Sequence, residues 1–314
     1  MNYYFKALKR NLNYSFNKLR LKKYKKNFLF LSQNLEEYSL KKKIFIYMND
    51  DDIFHYGDRI FLFPLIIELN RFFNVIIVDN NNFIKIFANI YDIRVINKIP
   101  KKSDGIIVSY LTCFYLKKIY KKNFFIGIDL KSITNNNPIY PQILNSFNEI
   151  FKIDMKFNFK VFDNLINFYT KKYLVNNFIK NNVTTPYYIY SEDIDSQRIW
   201  KIFKNINKIR DLVILKSKKN KIIYTSIKKN SQISLNSLID LSLKLSFEDL
   251  VYLIFHKNCL GVISFDNVIT HLATISNKKI FFLSRYLFKY QSNKINGITI
   301  PFFKKSKNLI NEIK

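Results

Sequence analysis

At 314 residues and 37.8 kDa, with 48% hydrophobic and 17% aromatic content, the chain is long enough to bury a core and to form two domains. No apolar run reaches the roughly 18 to 20 residues of a membrane-spanning helix, and the start MNYYFKALKR lacks the apolar core of a signal peptide. The net charge of +29 points to an acidic partner such as nucleic acid or an anionic membrane, discounted in part because Lys, Asn, Ile, Phe and Tyr all accumulate in AT-rich genomes.

Cys113 and Cys259 each sit in an apolar run without CxxC or Cys/His ligand spacing, so buried thiols in a reducing compartment, the cytosol, are expected rather than a disulfide or zinc. With 5 Gly and 6 Pro the usual loop punctuation is sparse. Asn clusters, 80 to 82 and 135 to 137, are expected to mark turns instead. No repeat of fixed period is present.

Residues 1–43 carry twelve Lys and Arg against two Glu, interleaved with Tyr, Phe and Leu. They read as a basic N-terminal arm with an amphipathic tendency, either a solvated helical extension or an attachment to an anionic bilayer. From Lys43 onward the texture alternates between β-rich runs and helical stretches: KIFIYM, RIFLFPLIIELNRF, NVIIVD, GIIVSY, NFFIGIDL, then helix to about residue 180. After NNVTTP the pattern restarts with PYYIYSE, helix RIWKIFKNI, LVILKS, KIIYTS, helix SFEDLVYLIF, LGVISF, helix THLATI and KIFFLS. That alternation predicts α/β architecture: an arm over 1–43 and two sequential Rossmann-like halves over 44–182 and 183–314, with ligands outside the carboxyl ends of the strands.

Three strand-to-helix junctions carry chemistry. In MNDDDIFHYGDRIFLF, Gly57 is expected to make a tight turn that leaves Asp58 at a helix N-terminus, a general base within reach of a substrate hydroxyl or simply a helix cap. In SEDIDSQRIWKIF, Arg198 opens a helix whose Trp200 and Phe203 face the core; the guanidinium suits a phosphate, or is a surface charge. In SFDNVITHLAT, Asp266 and Asn267 occupy a turn and His271 the first helical turn. Free amides there favour a diphosphate, Asp266 can accept from sugar hydroxyls, and His271 either meets the ligand or braces the loop.

Taken in order, these stretches resemble glycosyltransferase family 9, the ADP-heptose:lipopolysaccharide heptosyltransferases. The matches are Gly57, Asp58 and Pro64 in GDRIFLFPLIIEL; Arg198, Trp200 and Phe203 in RIWKIF; Ser246, Phe247, Asp249 and Leu250 in SFEDL; and Asp266, His271, Leu272 and Ala273 in DNVITHLA, over about residues 43 to 290. The resemblance implies two facing Rossmann-like domains of GT-B type and inverting, metal-independent sugar transfer from a nucleotide-sugar, ADP-heptose first, to a lipopolysaccharide core or related acceptor at the inner face of the cytoplasmic membrane. It implies Asp58 as base toward the acceptor, Arg198 in place of a family Lys at the donor phosphate, and Asp266, Asn267 and His271 around the donor. No cofactor is implied, and the acids Asp50, Asp51 and Asp52 only imitate a metal motif. The chain departs at Val268, where the family has Gly, which keeps a catalytically impaired scaffold in play. A basic nucleic-acid-binding protein is the other alternative, but no RNP, KH or zinc-finger pattern supports it.

Overall fold

The computed structural model describes residues 12, 14–23, 29–32, 43–50, 54–129, 139–193, 213, 220–226, 238–265, 267–284 and 297–301. The chain divides into two compact units, Met1–Thr134 with Ile139–Asn158, and Asn135–Pro138 with Phe159–Lys314. The packing boundary therefore falls at 158/159, ahead of the 182/183 expected from the sequence. The physical reason is visible in residues 163–182, whose Tyr169 ring meets Phe255 at 6.0 Å and whose Tyr173 hydroxyl donates to Asp249 Oδ1 at 3.1 Å, both partners in the second unit.

The first unit begins with a helix, α1 (residues 14–20), and the strands β1 (Lys22–Lys23) and β2 (Leu29–Leu31). Then follow β3 (Lys43–Tyr47), α2 (Tyr56–Phe61), α3 (Phe63–Leu69), β4 (Val75–Val78), α4 (Asn82–Ile90), β5 (Arg94–Ile96), β6 (Gly105–Tyr110), α5 (Leu116–Ile119), β7 (Phe124–Ile128) and α6 (Ile139–Phe151). The sheet order is β1-β2-β7-β6-β3-β4-β5. Strands β3 to β7 pair in parallel, and β1 and β2 are added antiparallel. The apolar runs VIIV, GIIVSY and FFIGI are buried throughout, as strands covered on both faces must be. Gly105 is required where it stands: a Cβ there would lie 2.6 Å from the Lys43 carbonyl oxygen of the neighbouring strand.

The described part of the N-terminal arm is not a free extension. Leu29, Phe30 and Leu31 are buried in the sheet, and α1 is tied to the same unit by side-chain hydrogen bonds. The three apolar residues LFL form β2, which lies between β1 and β7.

The second unit holds α7 (Asp163–Asn167), α8 (Asn177–Asn182), β8 (Tyr187–Ser191), β9 (Lys221–Tyr224), β10 (Leu238–Asp240), α9 (Phe247–Phe255), β11 (Cys259–Ser264), α10 (Val268–Ile275), β12 (Lys279–Ser284) and β13 (Gly297–Pro301). Its six strands run in the order β10-β9-β8-β11-β12-β13, all parallel. The expected helix RIWKIFKNI lies outside the described residues. So does the run LVILKS apart from Val213, which is buried and helical rather than extended. Among the described residues no helix is long and apolar enough to cross a membrane. Cys113 and Cys259 carry free thiols, each pushed up to about 12 by burial.

Candidate active site at the strand carboxyl ends

Both sheets reverse direction at their centre. In the first unit the chain lays β4 and β5 on one side of β3 and β6 and β7 on the other; in the second, β9 and β10 flank β8 on one side, and β11, β12 and β13 on the other. Each reversal is a topological switch point, where loops leaving adjacent strands part and open a crevice at their carboxyl ends.

Asp58 stands at the first switch point. The chain leaves β3, turns, and enters α2 at Tyr56, so Asp58 is the third helical residue. Its Oδ2 accepts from the His55 backbone N–H at 3.1 Å, the capping contact, while the Tyr110 hydroxyl at the end of β6 donates to Oδ1 and to the Asp58 carbonyl, both at 3.2 Å. The carboxylate is thus half-buried and oriented by two donors, with exposed His55 and Tyr56 beside it. Burial, followed by the nearby Asp58 charge, raises the Tyr110 phenol well above its ordinary range, so it remains a donor at any physiological pH. The tight turn expected at Gly57 is absent. Gly57 lies inside α2, which starts at Tyr56, and has no positive φ.

A buried ion pair and a more exposed tyrosine contact fix this loop. Arg59, 3% exposed, donates from Nε to Asp79 Oδ2 at 2.7 Å and from its other nitrogens to the carbonyls of Phe54 and Met48. It thereby ties α2, the β3–α2 loop and the end of β4 together. Nearby, the Tyr115 hydroxyl donates to Asp50 Oδ2 at 3.1 Å and lies 3.4 Å from that of Tyr47. Asp129, at the end of β7 and fully buried, accepts from the Tyr14 hydroxyl at 2.7 Å and pairs with Lys18 at 3.2 Å. That hydrogen bond to Asp129 is the main cause of the raised Lys18 pKa.

At the second switch point Asn267 is the hub. Its Oδ1 accepts from Ile269 N at 3.0 Å, capping α10, and its Nδ2 donates to the Asp193 carbonyl at 2.7 Å and Ser264 Oγ at 2.8 Å. Both amide protons are consumed inside the protein, so Asn267 positions the loop rather than offering itself as a donor to ligand. It joins the end of β8 to the end of β11, where Ser226 Oγ donates to Asp193 Oδ1 at 2.8 Å and the Tyr190 hydroxyl to Glu192 at 2.6 Å. His271, the fourth residue of α10, is half-buried. Val268 is the first helical residue and has no positive φ, so the backbone accepts its branched side chain there without strain. Arg198, Trp200 and Asp266 lie outside the described residues, as do Asp51 and Asp52. Ser246 and Asp249 of the SFEDL stretch form the capping box that starts α9.

Sequence reasoning missed Tyr110, the Arg59–Asp79 pair, Asp129 and Asp193. A shared signal existed: each carboxylate ends or directly follows a buried apolar strand, in VIIVD, FFIGID and YYIYSED. Among the described residues no group of three His, Cys, Asp or Glu is placed to hold a metal ion.

Each unit is a Rossmann-like α/β fold with polar side chains gathered at its switch point. Solved structures of glycosyltransferases and of a sugar-nucleotide epimerase share this fold. It is similar to E. coli heptosyltransferase WaaC with ADP-2-deoxy-2-fluoro heptose (TM-score 0.57, 10% identity, 87% of this chain and 100% of that one). It is also similar to the family 9 glycosyl transferase from Veillonella parvula DSM 2008 (TM-score 0.54, 11% identity, 83% and 86%). The UDP-GlcNAc 2-epimerase from Methanocaldococcus jannaschii shares the fold as well (TM-score 0.53, 14% identity, 87% and 92%). No protein-family model and no curated protein sequence matches the chain.

Proposed function

We propose that the chain is an inverting, metal-independent glycosyltransferase that moves a sugar, heptose foremost, from a nucleotide-sugar such as ADP-heptose to a lipid-linked saccharide acceptor of the lipopolysaccharide core or a related surface glycan. The observation that carries the reading is Asp58: the one carboxylate singled out from the sequence as base stands at a switch point, aimed by Tyr110 and the His55 amide. In this reading Asp58 takes the proton of the acceptor hydroxyl as that oxygen attacks the anomeric carbon. The bond from that carbon to the diphosphate breaks on the opposite face, the sugar configuration inverts, and the proton stays on Asp58. The departing nucleoside diphosphate gathers charge that Arg198 and the amides opening α10 stabilise, with Asp266 on the sugar hydroxyls and His271 beside them. Asn267 supports that end by holding the β8 and β11 loops together. The protein works at the cytoplasmic face of an anionic membrane, where its acceptor resides.

A nucleotide-release assay tests the reading. Purified protein is offered ADP- and UDP-sugars with and without a lipid A-type acceptor, and the sugar product is followed by NMR. Acceptor-dependent release of nucleotide with inversion at the anomeric carbon is expected. Isomerisation of the donor without an acceptor would instead assign the epimerase chemistry of the other fold relative, and release by no donor would leave a scaffold.

A further inference from the structure

We infer that α1 is a docking element that seats the protein on an anionic lipid bilayer through Phe16 and Leu19, with Leu12 just ahead of it. An amphipathic helix on a soluble unit normally turns its apolar stripe inward. Here the arrangement is reversed. At 3.6 residues per turn Tyr14, Asn17, Lys18 and Leu21 share one face, and that face is the docked one. Tyr14 and Lys18 hold Asp129, Asn17 Nδ2 donates to the Leu111 carbonyl at 3.3 Å, and Leu21 is buried. Phe16 and Leu19, spaced i and i+3, lie on the opposite face and are 57% and 84% exposed, and Leu12, ahead of α1, is 50% exposed. Arg20, Lys22 and Lys23 are exposed beside the stripe, and Lys18 is partly so.

Charge complementarity selects the occupant. Exposed apolar side chains followed directly in the chain by the exposed cations Arg20, Lys22 and Lys23 match the boundary of a bilayer with anionic headgroups, where the side chains enter the acyl region and Lys and Arg meet phosphate. A chain of net charge +29 adds long-range attraction to the same surface. Polar tethers hold the helix in this orientation, so the stripe cannot simply roll inward without breaking the Asp129 contacts. The position also has a consequence for catalysis, which rests on the transferase reading. Asn17 grips Leu111, the residue after Tyr110, whose hydroxyl orients Asp58. A bilayer touching α1 therefore presents a lipid-linked acceptor one strand end away from the proposed base.

Vesicle flotation of the full chain tests this without any sugar present. With phosphatidylcholine vesicles containing 30% phosphatidylglycerol the protein should float, and with pure phosphatidylcholine recovery should drop severalfold. F16D/L19D should lose at least tenfold of the anionic-vesicle recovery. Leu174, 94% exposed in the other unit, supplies the control: L174D should float like the parent. Because all three positions are exposed, thermal melting should show each variant folded. Undiminished flotation of F16D/L19D overturns the inference. So does sedimentation showing that this variant splits a dimer while still floating, because the stripe would then bind a second copy. Flotation without sugar transfer would overturn only the transferase reading, and transfer to detergent-solubilised acceptor without flotation would overturn only this one.

Discussion

Tyr110 links the two strands that flank the first switch point, and its hydroxyl has two acceptors on Asp58. Tyr110→Phe removes the donor while keeping the ring that stacks on Phe54 at 4.5 Å. Expected is a fall of about tenfold or more in kcat with little change in the KM for donor, since a loosened base costs positioning rather than donor binding. Steady-state kinetics on the variant checks this. A second residue-scale prediction concerns pH. His256 has its pKa lowered by burial first and by Lys278 and Lys257 next, and its Nδ1 accepts from the Asn258 amide at 3.2 Å. A histidine whose folded pKa lies below its unfolded value contributes stability that is complete above about pH 6.5 and is lost as pH falls through the lower folded value. The melting temperature should therefore decline on acidification below that point, and His256→Gln should flatten the decline. Unchanged slopes in scanning calorimetry would contradict the assignment.

At the scale of elements, the caps and the buried ion pair decide how firmly each loop is held. Asn267→Ala leaves the first turn of α10 uncapped and frees the Asp193 and Ser264 contacts, for an expected loss of about 1 to 2 kcal/mol. Asn267→Asp keeps the cap but not the two donated hydrogen bonds, so thermal denaturation should place it between the parent and the alanine variant. Arg59→Met strands the Asp79 carboxylate in the core at a cost of about 3 to 5 kcal/mol, whereas Arg59→Met with Asp79→Leu should recover much of it. Urea titration of the single and double variants measures the difference. These elements also mark where the sequence was readable. KIFIYM, GIIVSY, LGVISF and KIFFLS announced their strands because a parallel strand buried on both faces must be a continuous apolar run. Strands β1, β5 and β10 were not legible, being two or three residues long and partly exposed, too short for any period to show. The helix boundary at Asp58 shifted because Tyr56 and Gly57, poor helix formers, were drawn into the first turn by the Asp58 contact to His55.

Across the molecule, composition gave the two α/β halves but not where they part. Residues 159–182 carry no break in apolar texture, and their assignment to the second unit rests on the packing of Tyr169 and Tyr173, contacts with partners some eighty residues away. The face of α1 that turns inward was not legible in the sequence, since the buried Asp129 and the Leu111 carbonyl, more than ninety residues away, fix it. For the candidate site, the strand-to-helix junctions singled out Asp58 and Asn267 in the sequence. Their bracing partners were hidden because hydrogen bonds between residues fifty to seventy positions apart leave no local pattern. The central proposal, that sugar leaves a nucleotide when an acceptor hydroxyl is deprotonated by Asp58, rests on the placement of that carboxylate. The most direct measurement is the acceptor-dependent release of nucleotide by Asp58→Asn beside the parent protein, at saturating donor and with matched melting temperatures. The account predicts a loss of about 100-fold or more in kcat, the contribution of a positioned general base. Turnover by Asp58→Asn equal to that of the parent would contradict it.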